Sequence, residues 1–371
     1  MTVVPPIQEV VLREAKEAGF ATAGIAAVPE PGSGEDYAEL GLVEPWLEAG
    51  RAGEMEYLKR RDDGGRLLRS SLRIALPWAR SVIVCAANYN SSMPKSVDPA
   101  APEQGWIARY AWSGRASDSG EVVPSDYHKV LLRRLRTVES KLKDSLGEFE
   151  SRCYVDTGPV VERIYAKYAG IGWTGKNTCI LNQRLGSWLF LGVMATSIKL
   201  PGPVAEVPAD RCGSCRRCIE ACPTGALTAP YEMDASLCIS YLTIEKRGAI
   251  PLELRSRMGR QVFGCDICQD VCPWNRRAPV GDDAELRARG ELVNPALEWL
   301  AEMDEGGFAR FFHGSPVKRT KLSGLRRNVA IAMGNSGARG FLRKLREWSG
   351  SEDAVLAEAA AWAMGRIEDE S

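Results

Sequence analysis

Eight of the eleven cysteines in the chain lie between residues 212 and 272, and their spacing restricts the fold more than any other feature of the sequence. Residues 212–223 read CGSCRRCIEACP, and residues 265–273 read CDICQDVCP. The N-terminal segment shows no secretion signal, so we expect a cytoplasmic protein whose thiols stay reduced rather than a disulfide framework. Cysteines that cluster in this way indicate metal ligands.

The spacing fits two four-iron, four-sulfur clusters. A tight C-x2-C-x2-C loop supplies three thiolates to one cluster, and in two-cluster ferredoxins the cysteine before the proline serves the other cluster. The second run lacks one member of the loop, and Cys238 can replace it. The predicted first cluster site is Cys212, Cys215, Cys218 and Cys272, and the predicted second cluster site is Cys222, Cys238, Cys265 and Cys268.

Structural zinc is the alternative, because zinc also takes C-x2-C pairs. Two C-x3-C-P endings favour the iron-sulfur interpretation. The remaining cysteines, Cys85, Cys153 and Cys179, are interpreted as small hydrophobic residues, with Cys85 inside an apolar strand.

Hydrophobic periodicity divides the chain into three predicted domains. Up to residue 200, helices predicted at 7–19, 53–61, 127–143 and 158–169 alternate with strands predicted at 81–87, 153–155 and 189–198, which is typical of an α/β domain. Pro201 to Pro208 is a linker by composition, and a ferredoxin-like domain with the two clusters is predicted over 201–290. The helical segment 291–371 contains two similar words, at 325–337 and 356–367, that resemble a HEAT-type pair.

Positive charge is local rather than global. The 48 basic and 48 acidic residues balance, so a nucleic-acid partner would have to meet a local basic patch. The clearest patch is Lys318, Arg319, Lys321, Arg326 and Arg327, with no acidic residue among them. A solvated helix face is the alternative interpretation, and the basic face of the helix at 129–143 is a second, weaker candidate.

The words around the cysteines resemble those of a known family. They are VDTGPVVER at 155–163, GIGWTGKN at 170–177, CPTGAL at 222–227, CISYLTIE at 238–245 and CPWNR at 272–276. Together they closely resemble the epoxyqueuosine reductases, and the resemblance extends from GEMEYLKR at 53–60 to the helical tail. The family implies a cobalamin-binding α/β domain, a ferredoxin-like domain with two 4Fe-4S clusters and a HEAT-like tail.

The resemblance also implies a function. The family removes the epoxide oxygen of epoxyqueuosine reductively at the wobble position of the tRNA anticodon, and an external low-potential donor feeds the clusters. A monomer is expected. The alternatives are a cobalamin-dependent reductive dehalogenase, which typically carries a Tat export signal, and a ferredoxin-type electron-transfer module that only docks partners.

The resemblance assigns roles to single residues. The acidic active-site residue falls on Asp156, the candidate proton donor, and the N-terminal arginine of the family falls on Arg60. A protonated carboxyl would be favoured by burial beside a large apolar corrin. The sequence by itself favours Asp156 as a cap of the following helix. Further candidate cofactor contacts are Trp173, Lys176, Asn177 and Ser240.

One departure from the family pattern lies near these residues. The family motif R-Y-A-x-G-x-D-Y-H is continuous, whereas here the segment SDSGEVVPS separates Gly114 from Asp126. An insertion beside a pocket segment calls into question the contacts expected of residues 109–128.

Overall fold

The structure is a computed structural model that describes residues 6–30, 37–201 and 207–369. Most of the linker predicted at 201–208 therefore lies outside the described residues. The helices are α1 Ile7–Glu17, α2 Val43–Glu48, α3 Leu72–Ala75, α4 Tyr127–Leu146, α5 Glu162–Tyr168, α6 Arg217–Glu220, α7 Ile239–Ile244, α8 Leu252–Arg255, α9 Ile267–Asp270, α10 Leu297–Ala301, α11 Glu305–Phe311, α12 Lys321–Ser336, α13 Leu342–Ser349 and α14 Ala354–Asp369.

The strands are β1 Thr22–Ala27, β2 Ser81–Asn88, β3 Trp106–Ile107, β4 Ser113–Ala116, β5 Val122–Pro124, β6 Ser151–Tyr154, β7 Trp173–Thr174, β8 Ile180–Leu181, β9 Leu189–Thr196, β10 Gln261–Phe263 and β11 Arg287–Ala288. Four of them form the main sheet in the order β1-β2-β9-β6, with every neighbouring pair antiparallel. None of the helices in the described ranges is long and apolar enough to cross a membrane.

The main sheet is covered on both faces, which explains why β2 and β9 are apolar along their whole length. Side chains alternate between the two faces of a strand. Ile83 and Cys85 therefore pack with α1 and α4 on one face, while Val82 and Val84 pack with α3 and α5 on the other. The three predicted strands of this sheet are confirmed, and so are the helices predicted at 7–19 and 127–143. Their ends are shifted by a few residues.

One of the predicted helices in this region is wrong, and another begins four residues later than predicted. Residues 53–61 form only a short 3-10 turn at Glu56–Lys59, because Gly53 has a φ of 55° and the backbone N–H of Glu54 is bound by the Tyr241 hydroxyl at 2.8 Å. The segment after residue 156 is a loop, and α5 begins only at Glu162. This loop positions Asp156, as described below.

The cluster segment and the C-terminal helices share one hydrophobic core, which also includes residues 106–112. Arg327 and Asn328 of α12 tie the two segments together. The Arg327 guanidinium donates to the carbonyls of Leu242, Lys246 and Gly248 at 2.7–2.8 Å, and the Asn328 amide donates to those of Thr243 and Val262 at 2.8 and 2.9 Å. The C-terminal helices therefore hold the segment that carries Cys238 and Cys265.

Helices α12 and α14 pack directly on each other, as their similar sequences suggested. Gly334 allows the close approach, because a Cβ at this position would lie 2.8 Å from the Cα and Cβ atoms of Ala363. An all-helical tail is confirmed. Its assignment as a HEAT-like domain, like the domain boundaries at 200 and 290, stays a prediction.

Candidate active site

A cavity of about 1020 Å³ lies between the main sheet, the cluster segment and the start of the C-terminal helices. This exceeds the range of roughly 300–1000 Å³ for drug-sized ligands and suits a large cofactor together with part of a substrate. Aromatic side chains form much of its wall: Tyr57, Tyr89, Tyr110, Tyr127 and Phe190.

All four cysteines of the second cluster site line this cavity. The thiol of Cys265 is close enough to Cys238 and Cys222 for electrostatic interaction, and Cys268 interacts in the same way with Cys265 and Cys238. Cys179 also contacts Cys268 and lines the cavity. It is therefore a fifth cysteine beside this cluster site rather than an isolated hydrophobic residue.

The first cluster site lies outside the cavity wall. Cys272 interacts electrostatically with Cys212 and Cys218, in agreement with the crossed assignment. Cys212 and Cys272 pack against the Trp173 ring, and the buried indole N–H of Trp173 interacts with the Cys212 thiol. An N–H donor directed at a thiol ligand fits a cluster whose sulfur atoms can accept hydrogen bonds.

The cysteine geometry does not fit the zinc alternative. A structural zinc ion holds four ligands at about 2.0–2.3 Å, so its ligands converge on one point. In the described ranges, no three His, Cys, Asp or Glu side chains converge on a single metal ion.

The positions of Trp173 and Lys176 contradict their predicted contacts with the cavity cofactor. Both residues are buried outside the cavity wall, where the β7–β8 hairpin packs on the loop of the first cluster site. Trp173 stacks edge-to-face on Trp274, and the Lys176 ammonium donates to the carbonyls of Gly213 and Cys215. These two side chains therefore support the first cluster loop.

Of the other predicted cofactor contacts, some line the cavity and one does not. Asp156, Asn177 and Ser240 line the cavity, and the Asn177 amide also donates to the Cys268 carbonyl at 3.3 Å. Arg60 is exposed and does not line the cavity, so its contact with the cofactor stays a prediction. Arg69 and Arg163 line the cavity instead, and the sequence analysis missed both.

Asp156 projects into the cavity from a strained loop. Its φ of 58° lies in the left-handed region, which costs a non-glycine residue about 1–3 kcal/mol. The alternative that Asp156 caps the following helix is wrong. The N-cap residue of α5 is Val161, and no side chain caps this helix. The Asp156 side chain is 69% exposed, so the protein alone does not bury it.

Tyr127 and His128 position the Asp156 carboxylate. The Tyr127 hydroxyl donates to Asp156 Oδ2 at 3.0 Å, and His128 Nε2 lies 3.9 Å from the same oxygen. Asp126 in turn holds His128, since its Oδ1 accepts from the backbone N–H at 3.0 Å and lies 2.9 Å from ring atom Nδ1. Burial and the charge of Asp156 raise the pKa of Tyr127 well above its usual value, so its hydroxyl stays a donor.

The insertion before these residues leaves them in the cavity. It forms the turn and the second strand of the β4–β5 hairpin, in which β4 also pairs with β11, and the chain then returns so that Asp126 is the N-cap residue of α4. Arg109, the first residue of the segment 109–128, is 3% exposed and lies between the rings of Trp112 and Trp188. It does not line the cavity.

A second carboxyl, Glu162, also lines the cavity. Burial, and after it the negative charge of Asp156, raises the pKa of Glu162 to about 7. Such a group can hold a proton near neutral pH. Glu162 belongs to the same word as Asp156, VDTGPVVER, which was the available signal for it in the sequence.

The five residues of the predicted basic patch do not form one exposed surface. Lys318, Arg319 and Lys321 are exposed, and Arg319 lines the cavity while pairing with Glu245 and lying over the Tyr57 ring. Arg327 is 1% exposed, so its prediction as a phosphate contact is wrong: it is a structural connector. Arg326 is partly buried and donates to the Met303 carbonyl at 2.8 Å, which also removes it from the exposed patch.

Two cluster sites, one of them beside a large cavity with an acid held at its wall, define a reductive iron-sulfur enzyme. Comparisons with known proteins agree. The family "4Fe-4S double cluster binding domain" matches residues 211–275, and the family "Epoxyqueuosine reductase QueG, DUF1730" matches residues 69–157.

Relatives match over nearly the whole chain. An epoxyqueuosine reductase from Xanthomonas campestris is 36% identical over 95% of this chain and 94% of its own length, and one from Pseudomonas aeruginosa is 38% identical over 95% and 92%. The chain belongs to the epoxyqueuosine reductase family.

Solved structures of the family share the fold. The epoxyqueuosine reductase of Streptococcus thermophilus superposes with a TM-score of 0.80 at 28% identity, covering 98% of this chain and 91% of that one. An epoxyqueuosine reductase solved with a tRNA-Tyr epoxyqueuosine-modified stem loop superposes with a TM-score of 0.81 at 29% identity, covering 97% and 90%.

Proposed function

We propose that the chain reduces the epoxide of epoxyqueuosine in tRNA to the alkene of queuosine, using two electrons and two protons and releasing water. The observation that supports this most is the placement of Asp156 on Tyr127 and His128, in a cavity lined by the ligands of the second cluster site. Electrons can reach the cavity from one side while a proton donor is held at its wall.

The cavity also fits a cobalamin. Its volume and aromatic wall suit a large, flat, mostly apolar ring, and Asn177 and Ser240 provide polar contacts at its edge. A bound cobalamin supplies a strongly reducing cobalt centre, which side chains cannot provide. Arg69 and Arg163 add positive charge to the same wall.

The chain's own residues then handle the proton. When the epoxide carbon-oxygen bond breaks, the leaving oxygen needs a proton, and a protonated Asp156 carboxyl can give it. Tyr127 fixes the orientation of that carboxyl, and His128 Nε2 lies 3.9 Å from its Oδ2.

Cofactor content separates this function from that of a simple electron carrier. Anaerobically reconstituted protein should bind one cobalamin and about eight irons, four for each of two clusters. Iron and cobalamin are measured on the same sample. Protein that holds the iron but has no affinity for cobalamin would contradict the proposal and leave only an electron-transfer module.

Removing the Tyr127 hydroxyl should slow the reaction without preventing cobalamin binding. Tyr127→Phe loses the 3.0 Å hydrogen bond to Asp156 but keeps the ring, which stacks on Phe190. A hydrogen bond to a charged group contributes about 1.5–3 kcal/mol, so we expect at least about a tenfold lower rate in a single-turnover assay.

Cobalamin binding by Tyr127→Phe, followed by its absorption spectrum, should match that of the unmodified protein. An unchanged turnover rate would show that the hydroxyl does not position Asp156.

We further propose that the tRNA backbone crosses the exposed cations at the start of α12. Lys318 and Lys321 have no ion-pair partner among the described residues, and Arg319 extends the patch to the cavity. Arg247, which donates to the Arg319 carbonyl at 2.9 Å, is exposed beside them. We expect the protein to act on tRNA as a monomer.

The salt dependence of binding tests this surface. Each phosphate contact that is lost lowers the slope of log K against log salt by about 0.7–0.9, so Lys318→Ala with Lys321→Ala should lower it by about 1.4–1.8. The matched control is Lys16→Ala with Arg152→Ala, two exposed cations near the main sheet. An unchanged slope in the first variant would remove the patch from the interface.

A further inference from the structure

The exposed side of the first cluster site is surrounded by arginines. Its first three cysteines are flanked in the sequence by Arg211, Arg216 and Arg217. Its fourth cysteine is followed by Arg276 and Arg277. We call these five residues the arginine rim. All five are exposed, and none of them forms an ion pair or a side-chain hydrogen bond within the described part of the chain.

The two halves of the rim lie around one site. Cys212 and Cys272 pack against the same Trp173 ring, and α6, which contains Arg217, packs on α9, which precedes Cys272. Residues 210–220 and 273–277 contain these five arginines and two acidic residues, Asp210 and Glu220. Because the whole chain has zero net charge, this excess is a local feature.

The rim does not belong to the cavity. None of its arginines and none of the four cysteines of the first cluster site line the cavity, whereas all four cysteines of the second site do. A substrate in the cavity therefore meets the second cluster, and the first cluster is the one that a partner can approach from solvent. The loop around Gly213 and Ser214 is itself exposed.

We propose that the arginine rim is the docking surface for a small acidic one-electron carrier protein, which reduces the first cluster. This rests on the proposed function, since that function requires electrons from outside. Electron-transfer complexes have small, weak interfaces, and complementary charge raises their association rate. Unpaired arginines around a solvent-facing cluster provide that charge without a large apolar contact.

Each docking event transfers one electron and no atoms. The carrier is oxidised by one electron, the first cluster is reduced by one electron from its 2+ to its 1+ state, and no proton moves. Two such events supply the two electrons of one turnover. The Lys176 ammonium, which is bound to the carbonyls of Gly213 and Cys215, adds buried positive charge on the inner side of the same loop.

The test compares two kinds of reductant. Arg216→Glu with Arg217→Glu should raise the KM for a reduced acidic flavodoxin or acidic 2Fe-2S ferredoxin by about tenfold or more, and should weaken the salt dependence of that KM. Turnover driven by photoreduced deazariboflavin, a small reductant that needs no docking surface, should stay within about twofold. Iron content and cluster spectra confirm that both clusters are intact.

The control is Lys16→Glu with Arg152→Glu, which changes net charge equally and should leave the carrier KM unchanged. A carrier KM that moves equally in both variants, or in neither, would overturn the proposal. It is also overturned if neither carrier reduces the unmodified protein, or if the rim variant raises the KM for tRNA under deazariboflavin. Failure of the unmodified protein to turn over with deazariboflavin is distinguishable, because it contradicts the proposed function itself.

Discussion

Replacing Asp156 with Asn should lower the rate of epoxide reduction by about 100- to 10,000-fold, the range over which a positioned proton donor acts. The amide keeps the size of the side chain and can still accept the Tyr127 hydrogen bond, but it cannot give up a proton. Asn also tolerates the left-handed backbone that Asp156 adopts, so the loop should keep its conformation. The rate is measured in single turnovers with prereduced protein.

The Asp156→Asn variant should bind cobalamin and tRNA as the unmodified protein does, which separates lost chemistry from a lost site. The matched control is Glu162→Gln, which removes another carboxyl of the cavity wall and should cost far less. Unaltered turnover in Asp156→Asn would show that Asp156 is not the proton donor. A larger loss in Glu162→Gln would move the proton donor to that residue.

Replacing Cys272 with Ala should abolish turnover by damaging the first cluster while sparing the second. Cys272 interacts with Cys212 and Cys218, although it lies only four residues from Cys268 of the second site. A cluster that loses a thiolate ligand is incomplete, so we expect up to half of the eight irons to be lost. Electron paramagnetic resonance of the reduced protein distinguishes the two signals.

The reciprocal variant, Cys265→Ala, should remove the other signal. Cys179→Ser serves as the matched control, because Cys179 contacts Cys268 but is not an assigned ligand. It should leave both clusters in place. If Cys272→Ala instead damages the signal lost in Cys265→Ala, the crossed assignment is wrong, and loss of the second cluster in Cys179→Ser would make Cys179 a ligand.

The double-cluster segment could be predicted because its information is local. Ligand spacing within a short loop decides which cysteines can converge, and the C-x3-C-P ending marks the crossed ligand. The family match extends this to the reaction. The alternating apolar runs similarly predicted β2, β9 and α4, because each buries a continuous face.

Side-chain direction could not be predicted in the same way. The turn around Trp173 and Lys176 looked suited to a polar cofactor, but only the packing of the β7–β8 hairpin decides that it faces the first cluster loop. Arg327 looked like part of a basic surface, although α12 is buried on most of its circumference. Its partners are carbonyls about 80 residues away in the sequence, such as that of Leu242.

The residues that position Asp156 were obscured by the insertion. Tyr127 and His128 follow the β4–β5 hairpin, and a sequence cannot show whether ten extra residues displace what comes after them. In the structure the hairpin pairs with β11 and α4 begins at Tyr127, so both side chains reach Asp156. The strained φ of Asp156 is also invisible in the sequence, since aspartate rarely adopts it.

The most direct test is conversion of epoxyqueuosine-containing tRNA by the reconstituted protein under photoreduced deazariboflavin, followed by mass spectrometry of the nucleosides. With cobalamin present, epoxyqueuosine should disappear and queuosine, lighter by one oxygen atom, should appear in equal amount. Without cobalamin, little conversion is expected. Protein that contains both clusters and cobalamin, binds this tRNA and leaves the epoxide intact would contradict the central claim.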